Sequence, residues 1–228
     1  MRKIVFDIET NSYNFETLSE SQQEYLLRYV EKERDEQLKE IKREEAIRYM
    51  SLYPFTSKVI VIGLLDIESE KRVIYYEDPS GEEWNDEENK VKYIPSDEKG
   101  IIKAFWKIMG KTEQIITFNG KCFDVPFILI RSAIMKVKPT RNLITTKYDK
   151  FHIDLQDQLT FYGATRKFNL DFYCQSLGIT SPKSGAVTGM NIKEFYESDR
   201  MKEIASYCGN DIWATYELYK IWNEYLNI

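Results

Sequence analysis

The chain has 228 residues, 43% of them hydrophobic, enough for one large domain or two small ones around a real core. Thirty-two Lys and Arg against 37 Asp and Glu give a net charge of -5, which excludes a protein that grips nucleic acid by bulk positive charge. Three cysteines, Cys122, Cys174 and Cys208, form no C-x-x-C pair, so neither a disulfide framework nor a structural zinc site is indicated.

Lys3 to Glu9 is a β-prone run and the expected first, central strand. From Glu16 to Met50, dense charges of both signs surround a broken helical spacing of apolar residues, Leu18, Leu26, Leu38, Ile41 and Ile47 among them. That pattern predicts a solvated helical insertion at about 16–50, with docking of a partner or capping of a cleft as its other uses. Lys58 to Leu65 and Arg72 to Tyr76 read as strands that complete a meander. Asp78 to Gly100 is acidic and carries two prolines, and reads as a loop leading into a helix that ends at Gly110. Gln114 to Phe118 is a buried strand, followed by an Asn119-Gly120 turn and an apolar helix from about Phe123 to Met135. Ile153 to Leu155 is a weak strand. Leu170 to Leu177, Ile192 to Tyr196 and Lys202 to Tyr225 read as helices, the last the longest. No apolar run approaches the roughly 18 residues of a membrane span, so no membrane is expected and a reducing cytoplasm is the expected compartment.

Four acids stand out. Asp7 and Glu9, two apart on a strand, point to one face, where only something positive between them offsets their repulsion. A divalent ion is the simplest candidate, and oxygen-only ligands suit Mg²⁺ or Mn²⁺ better than zinc. Asp124 opens a helix after a buried strand, a position equally suited to a plain N-terminal helix acid. Tyr207 and Asp211, four residues apart on a helix, can direct a phenol and a carboxylate to one place, or can be a surface acid beside a core aromatic.

Taken together, FDIET (6–10), NGKCFDVPF (119–127) and YCGND (207–211) resemble the three motifs of the DEDD 3′–5′ exonucleases of the ribonuclease H-like superfamily. Their wording is most similar to the proofreading domain of family B DNA polymerases and to the stand-alone predicted exonucleases related to it. HIDLQDQL (152–159) and the following KFNLDF (167–172) also resemble the family's segment between its second and third motifs. The resemblance implies an α/β fold, a central mixed sheet of about five strands flanked by helices, and a single exonuclease domain over 1–228.

It further implies that Asp7, Glu9, Asp124 and Asp211 hold two Mg²⁺ ions, with Mn²⁺ able to substitute, and that Tyr207 orients the attacking water. Two such ions, about 4 Å apart, stabilise the attacking and leaving oxygens of phosphodiester hydrolysis. Ser206 occupies the place where the histidine branch of the family has its histidine, which puts this chain in the tyrosine branch. His152, the sole histidine, lies outside the three motifs and reads as structural. The implied activity is metal-dependent 3′–5′ hydrolysis of single-stranded DNA, with repair or proofreading as its expected setting and with RNA trimming and non-catalytic binding as alternatives. Thr10, Asn119, Phe123 and Lys183 are the expected substrate contacts.

Overall fold

The computed structural model describes residues 2–146, 149–182 and 186–227; Lys183 lies outside them. A seven-stranded sheet runs in the order β4-β5-β3-β2-β1-β6-β7. Its strands are β1 (Lys3–Ser12), β2 (Ser57–Asp66), β3 (Arg72–Glu77), β4 (Trp84–Asp86), β5 (Val91–Ser96), β6 (Gln114–Thr117) and β7 (His152–Asp154). β1, β2 and β3 form the antiparallel meander, while β6 runs parallel to β1 and β7 parallel to β6.

Seven strands replace the expected five because β4 and β5 lie inside the stretch read as a loop. β5 is parallel to β3 and antiparallel to β4. Its Val91 and Tyr93 are buried with Lys92 exposed between them, an alternation too short to stand out among so many acids. Pro95 is tolerated because β4 pairs only with Val91 to Tyr93, leaving β5 an edge strand beyond that point.

Strict alternation along β1 divides its side chains between two cores. Ile4, Phe6 and Ile8 pack with α3 (Glu98–Met109) and α4 (Asp124–Ile134) on one face. Val5 packs on the other with α8 (Met201–Tyr225), so the odd-numbered Asp7 and Glu9 also belong to the α8 face. α8 buries Ile204, Cys208, Ile212, Thr215, Tyr219 and Trp222, a spacing of three and four that keeps one stripe against β1, β2 and β3. The crossing is close at Gly63, which pairs with Asp7. A Cβ there would stand 2.8 Å from the Cys208 Sγ, so the missing side chain is what lets the helix sit this low.

α5 (Leu155–Leu159), α6 (Leu170–Ser176) and α7 (Ile192–Glu197) complete the α8 side. Between β1 and β2, α1 (Glu20–Leu27) and α2 (Glu36–Arg48) rise with three 3₁₀ turns around a small core of Phe15, Leu27, Val30 and Met50. A buried ion pair secures their exit. Arg131 on α4 grips Glu98 with two bonds of 2.7 Å, and donates to the Pro54 carbonyl at 3.0 Å and the Tyr13 hydroxyl at 2.8 Å.

Candidate active site

β1 outruns its neighbour: pairing with β6 ends at Val5 and Ile116, so the backbone beyond it on that side lacks a strand partner. The Asp124 carboxylate takes that place, accepting from the Ile8 N–H at 3.1 Å. The turn delivering Asp124 is fixed from below by Asp154 at the end of β7. Its two carboxylate oxygens accept from the N–H groups of Asn119 at 2.8 Å and Lys121 at 2.9 Å, and Asn119 sits at φ +64°, a left-handed conformation that asparagine tolerates well. Asp124 is indeed the first residue of α4, as a helix-start acid would be, yet it is 2% exposed and turned to β1.

Asp7 and Glu9 reach the same cleft from β1, and α8 brings Tyr207 and Asp211 over it. Burial, then the charges of Asp124, Glu9 and Asp211, hold the Asp7 carboxyl well above the usual carboxylate range. Burial, then Asp211 and Asp124, do the same to Glu9. Asp124 is pushed up to about 7, chiefly by burial. The Tyr207 phenol is raised far beyond its ordinary value by burial, the charges of Asp211 and Glu9, and a hydrogen bond with Asp211. Cys208 stands beside these acids, its Sγ 4.0 Å from an Asp7 carboxylate oxygen. One ligand atom each from Asp7, Glu9 and Cys208 fall within 4.8 Å of one another.

Such a set fits a hard dication. Carboxylates buried together and raising one another's proton affinity are relieved by a cation that replaces the protons, and nothing but oxygen is offered by the four acids. The thiol of Cys208, itself held far above its ordinary value by burial and then Asp7, is a poor ligand in that state.

The expected substrate contacts are dispersed. Thr10 follows Glu9, but its hydroxyl donates to the Ser51 carbonyl at 2.7 Å, tying β1 to the insertion. Phe123 is half-buried in the core on the α4 face, its ring 5.6 Å from that of Phe127. Asn119 is partly exposed at the mouth of the turn. His152 is fully buried and bonded to the Thr117 hydroxyl at 2.8 Å, with burial driving its pKa down to about 3. Asp154 and Gly63 escaped the sequence reading. The first has only the resemblance of its surrounding HIDLQDQL segment as a signal, and the second only a glycine within an apolar strand.

The sheet order and the helices on both faces define a ribonuclease H-like α/β fold, with an acidic cleft at its first strand able to accept divalent metal. Over residues 58–225 the chain matches the family described as "Predicted 3'-5' exonuclease related to the exonuclease domain of PolB", and it belongs to that family. The match starts in β2, so Asp124, Tyr207 and Asp211 fall within it and Asp7 and Glu9 precede it. It is similar, at 29% identity over 182 residues, to proteins named "DNA polymerase" from Thermococcus litoralis and Thermococcus aggregans. The aligned part is 72% of this chain but 10% and 9% of those polymerases, so the chain spans about a tenth of their length. The structure of the family B DNA polymerase from the hyperthermophilic archaeon Pyrobaculum calidifontis superposes with a TM-score of 0.62. That match covers 97% of this chain and 24% of the polymerase at 13% identity, a likeness of fold. No described helix is long and apolar enough to cross a membrane.

Proposed function

We propose that the protein is a metal-dependent 3′–5′ exonuclease that shortens single-stranded DNA, the chain acting as one exonuclease domain. The observation that carries this reading is the convergence of Asp7, Glu9, Asp124 and Asp211 from β1, α4 and α8 into one desolvated cleft. Asp7, Glu9 and Asp211 would hold one Mg²⁺, and Asp7 with Asp124 a second; Mn²⁺ has the same preference for oxygen ligands. Bound there, the ions would lower the pKa of the attacking water and offset charge on the departing 3′-oxygen.

The protein's own groups do the rest. Tyr207, kept protonated by its buried acidic surroundings and by its hydrogen bond with Asp211, positions the attacking water rather than accepting its proton. The Asp154 clamp on the 119–121 turn keeps Asp124 in register with β1. Asn119, at the mouth of that turn, is placed to contact the terminal nucleotide. The relatives named as DNA polymerases favour DNA over RNA as substrate. The test uses 5′-labelled single-stranded DNA and RNA with Mg²⁺, comparing the wild type with Asp7→Ala. A ladder of shortened DNA products from the wild type alone is expected. A ladder from RNA alone would move the substrate to RNA, and cleavage of neither would overturn the enzyme reading.

A further inference from the structure

A groove of about 620 Å³ opens beside the cleft, between the 3₁₀ turn at Tyr49–Leu52 and α7, with Thr10, Asn11 and Ser12 of β1 lining it. Its size is that of a small-molecule site. Asn11 follows Glu9 by two residues on β1, past an irregularity in the pairing with β2 between Glu9 and Thr10, and their positions differ by about 7 Å along the strand. The groove therefore begins where the acidic cleft ends.

Its lining joins apolar surface to a buried acceptor. Tyr49, Leu52 and Met190 present half-exposed or exposed apolar surface at its walls, Met190 being 75% exposed. Asn11 is 5% exposed, and its Oδ1 is buried without a hydrogen-bond partner among the described residues. An amide oxygen held this way costs free energy until a donor reaches it. Every nucleobase has an N–H donor on its pairing edge, so an acceptor here would serve all four bases, as non-selective shortening requires. Arg48 and Lys193 flank the walls in loose ion pairs, at 3.7 Å with Glu45 and 3.8 Å with Glu197, and the Arg48 guanidinium lies 5.5 Å from the centroid of the Tyr49 ring. Glu44, Glu194 and Glu197 also line the groove, so stacking and the Asn11 contact must supply more of the affinity than charge does.

We propose that this groove is a subsite for a nucleotide upstream of the 3′ terminus, its base against Tyr49 and Met190 and its edge donating to Asn11. The proposal rests on the exonuclease reading, because it takes the acidic cleft as the place of the terminal phosphodiester. It also explains the charged insertion, since the segment that ends in Tyr49–Leu52 then forms one wall of the strand's path, anchored to β1 through Thr10.

The test measures binding and hydrolysis separately, in the wild type and in Tyr49→Ala and Asn11→Ser variants of unchanged melting temperature. Fluorescence anisotropy with a labelled twelve-residue oligothymidylate and Ca²⁺ is expected to show about tenfold weaker binding by Tyr49→Ala and a smaller loss by Asn11→Ser. With Mg²⁺, KM for that strand should rise by a similar factor while kcat holds. Turnover of the p-nitrophenyl ester of thymidine 5′-monophosphate, which has no upstream nucleotide, should not change. Equal strand affinities in wild type and Tyr49→Ala would overturn the subsite, as would an equal loss on ester and strand. A wild type that cleaves neither substrate yet binds the strand more tightly than Tyr49→Ala would refute the exonuclease reading and leave the groove supported.

Discussion

Gly63→Ala tests how closely α8 must approach β1. The new Cβ would lie 2.8 Å from Cys208 Sγ, 3.2 Å from Ile74 Cδ1 and 3.3 Å from Ile212 Cγ2. Ordinary contact begins at 3.4 Å, so the helix has to rise by about 0.6 Å, because the sulfur hangs on a single Cβ and has little freedom to swing away. Overpacking of this kind costs about 1–3 kcal/mol, which in a chain of this size lowers Tm by about 2–12 °C. The functional cost should exceed the structural one. Asp211 and Tyr207 ride on the displaced helix while Asp7 and Glu9 stay on the strand. A misplacement near 1 Å costs about 100-fold in rate, so a fall of about 10- to 100-fold in kcat is expected on 5′-labelled single-stranded DNA. Adding Cys208→Ala removes the shortest contact and should restore at least half of the lost logarithm of kcat, with Tm rising alongside. Wild-type rate and stability in Gly63→Ala, or no recovery in the double variant, would refute the close-approach argument.

Other consequences follow from the same charges and contacts. Asp7, Glu9 and Asp124 bind protons more readily folded than unfolded, so their stabilisation of the metal-free protein is fully present below about pH 4. The share due to Asp124 is lost as pH rises through about 7. Metal needs the ionised carboxylates, so the stabilisation given by Mg²⁺ should be large at pH 8, about 2.7 kcal/mol at one hundred times Kd and read as a rise in Tm, and should shrink at pH 5.5. In Asp7→Asn the metal-free Tm should rise and the Mg²⁺-dependent increase should vanish, both read in one thermal scan with and without EDTA. His152 behaves oppositely. Its contribution is complete above its ordinary value of 6.5 and is lost as pH falls toward about 3, at about 1.4 kcal/mol per pH unit. His152→Asn should therefore flatten the decline of stability between pH 6 and 4 in urea titrations, and an unaltered slope would contradict this. Arg131→Met strands Glu98, which also accepts from the Val59 N–H at 2.9 Å, and should cost about 3–5 kcal/mol in urea unfolding. Glu98→Gln added to it should recover part of that loss.

The elements that the sequence declares plainly are those whose stability is local. β1, β2, β3 and α8 contain unbroken apolar runs or stripes, so their period is visible without knowing their partners. β4 is three residues long and β5 has two inward side chains, and each is a strand only because the other and β3 pair with it. The same distinction governs the site. FDIET, NGKCFDVPF and YCGND each carry an acid whose motif is contiguous, whereas Asp154 acts on backbone N–H groups 33 and 35 residues away. Gly63 matters through a sulfur on the last helix. Thr10 lies within a legible motif, yet its bond to Ser51 depends on how the insertion folds back, which no spacing in the chain discloses.

The first strand and the last helix bear opposite walls of the acidic cleft, with Asp7 on one and Asp211 on the other. During synthesis the earliest acids must wait for every intervening element before their partner emerges. A nascent or clipped chain lacking α8 would have Asp7, Glu9 and Asp124 but neither Asp211 nor Tyr207. Assembly of the four-acid cleft is thus coupled to the arrival of α8.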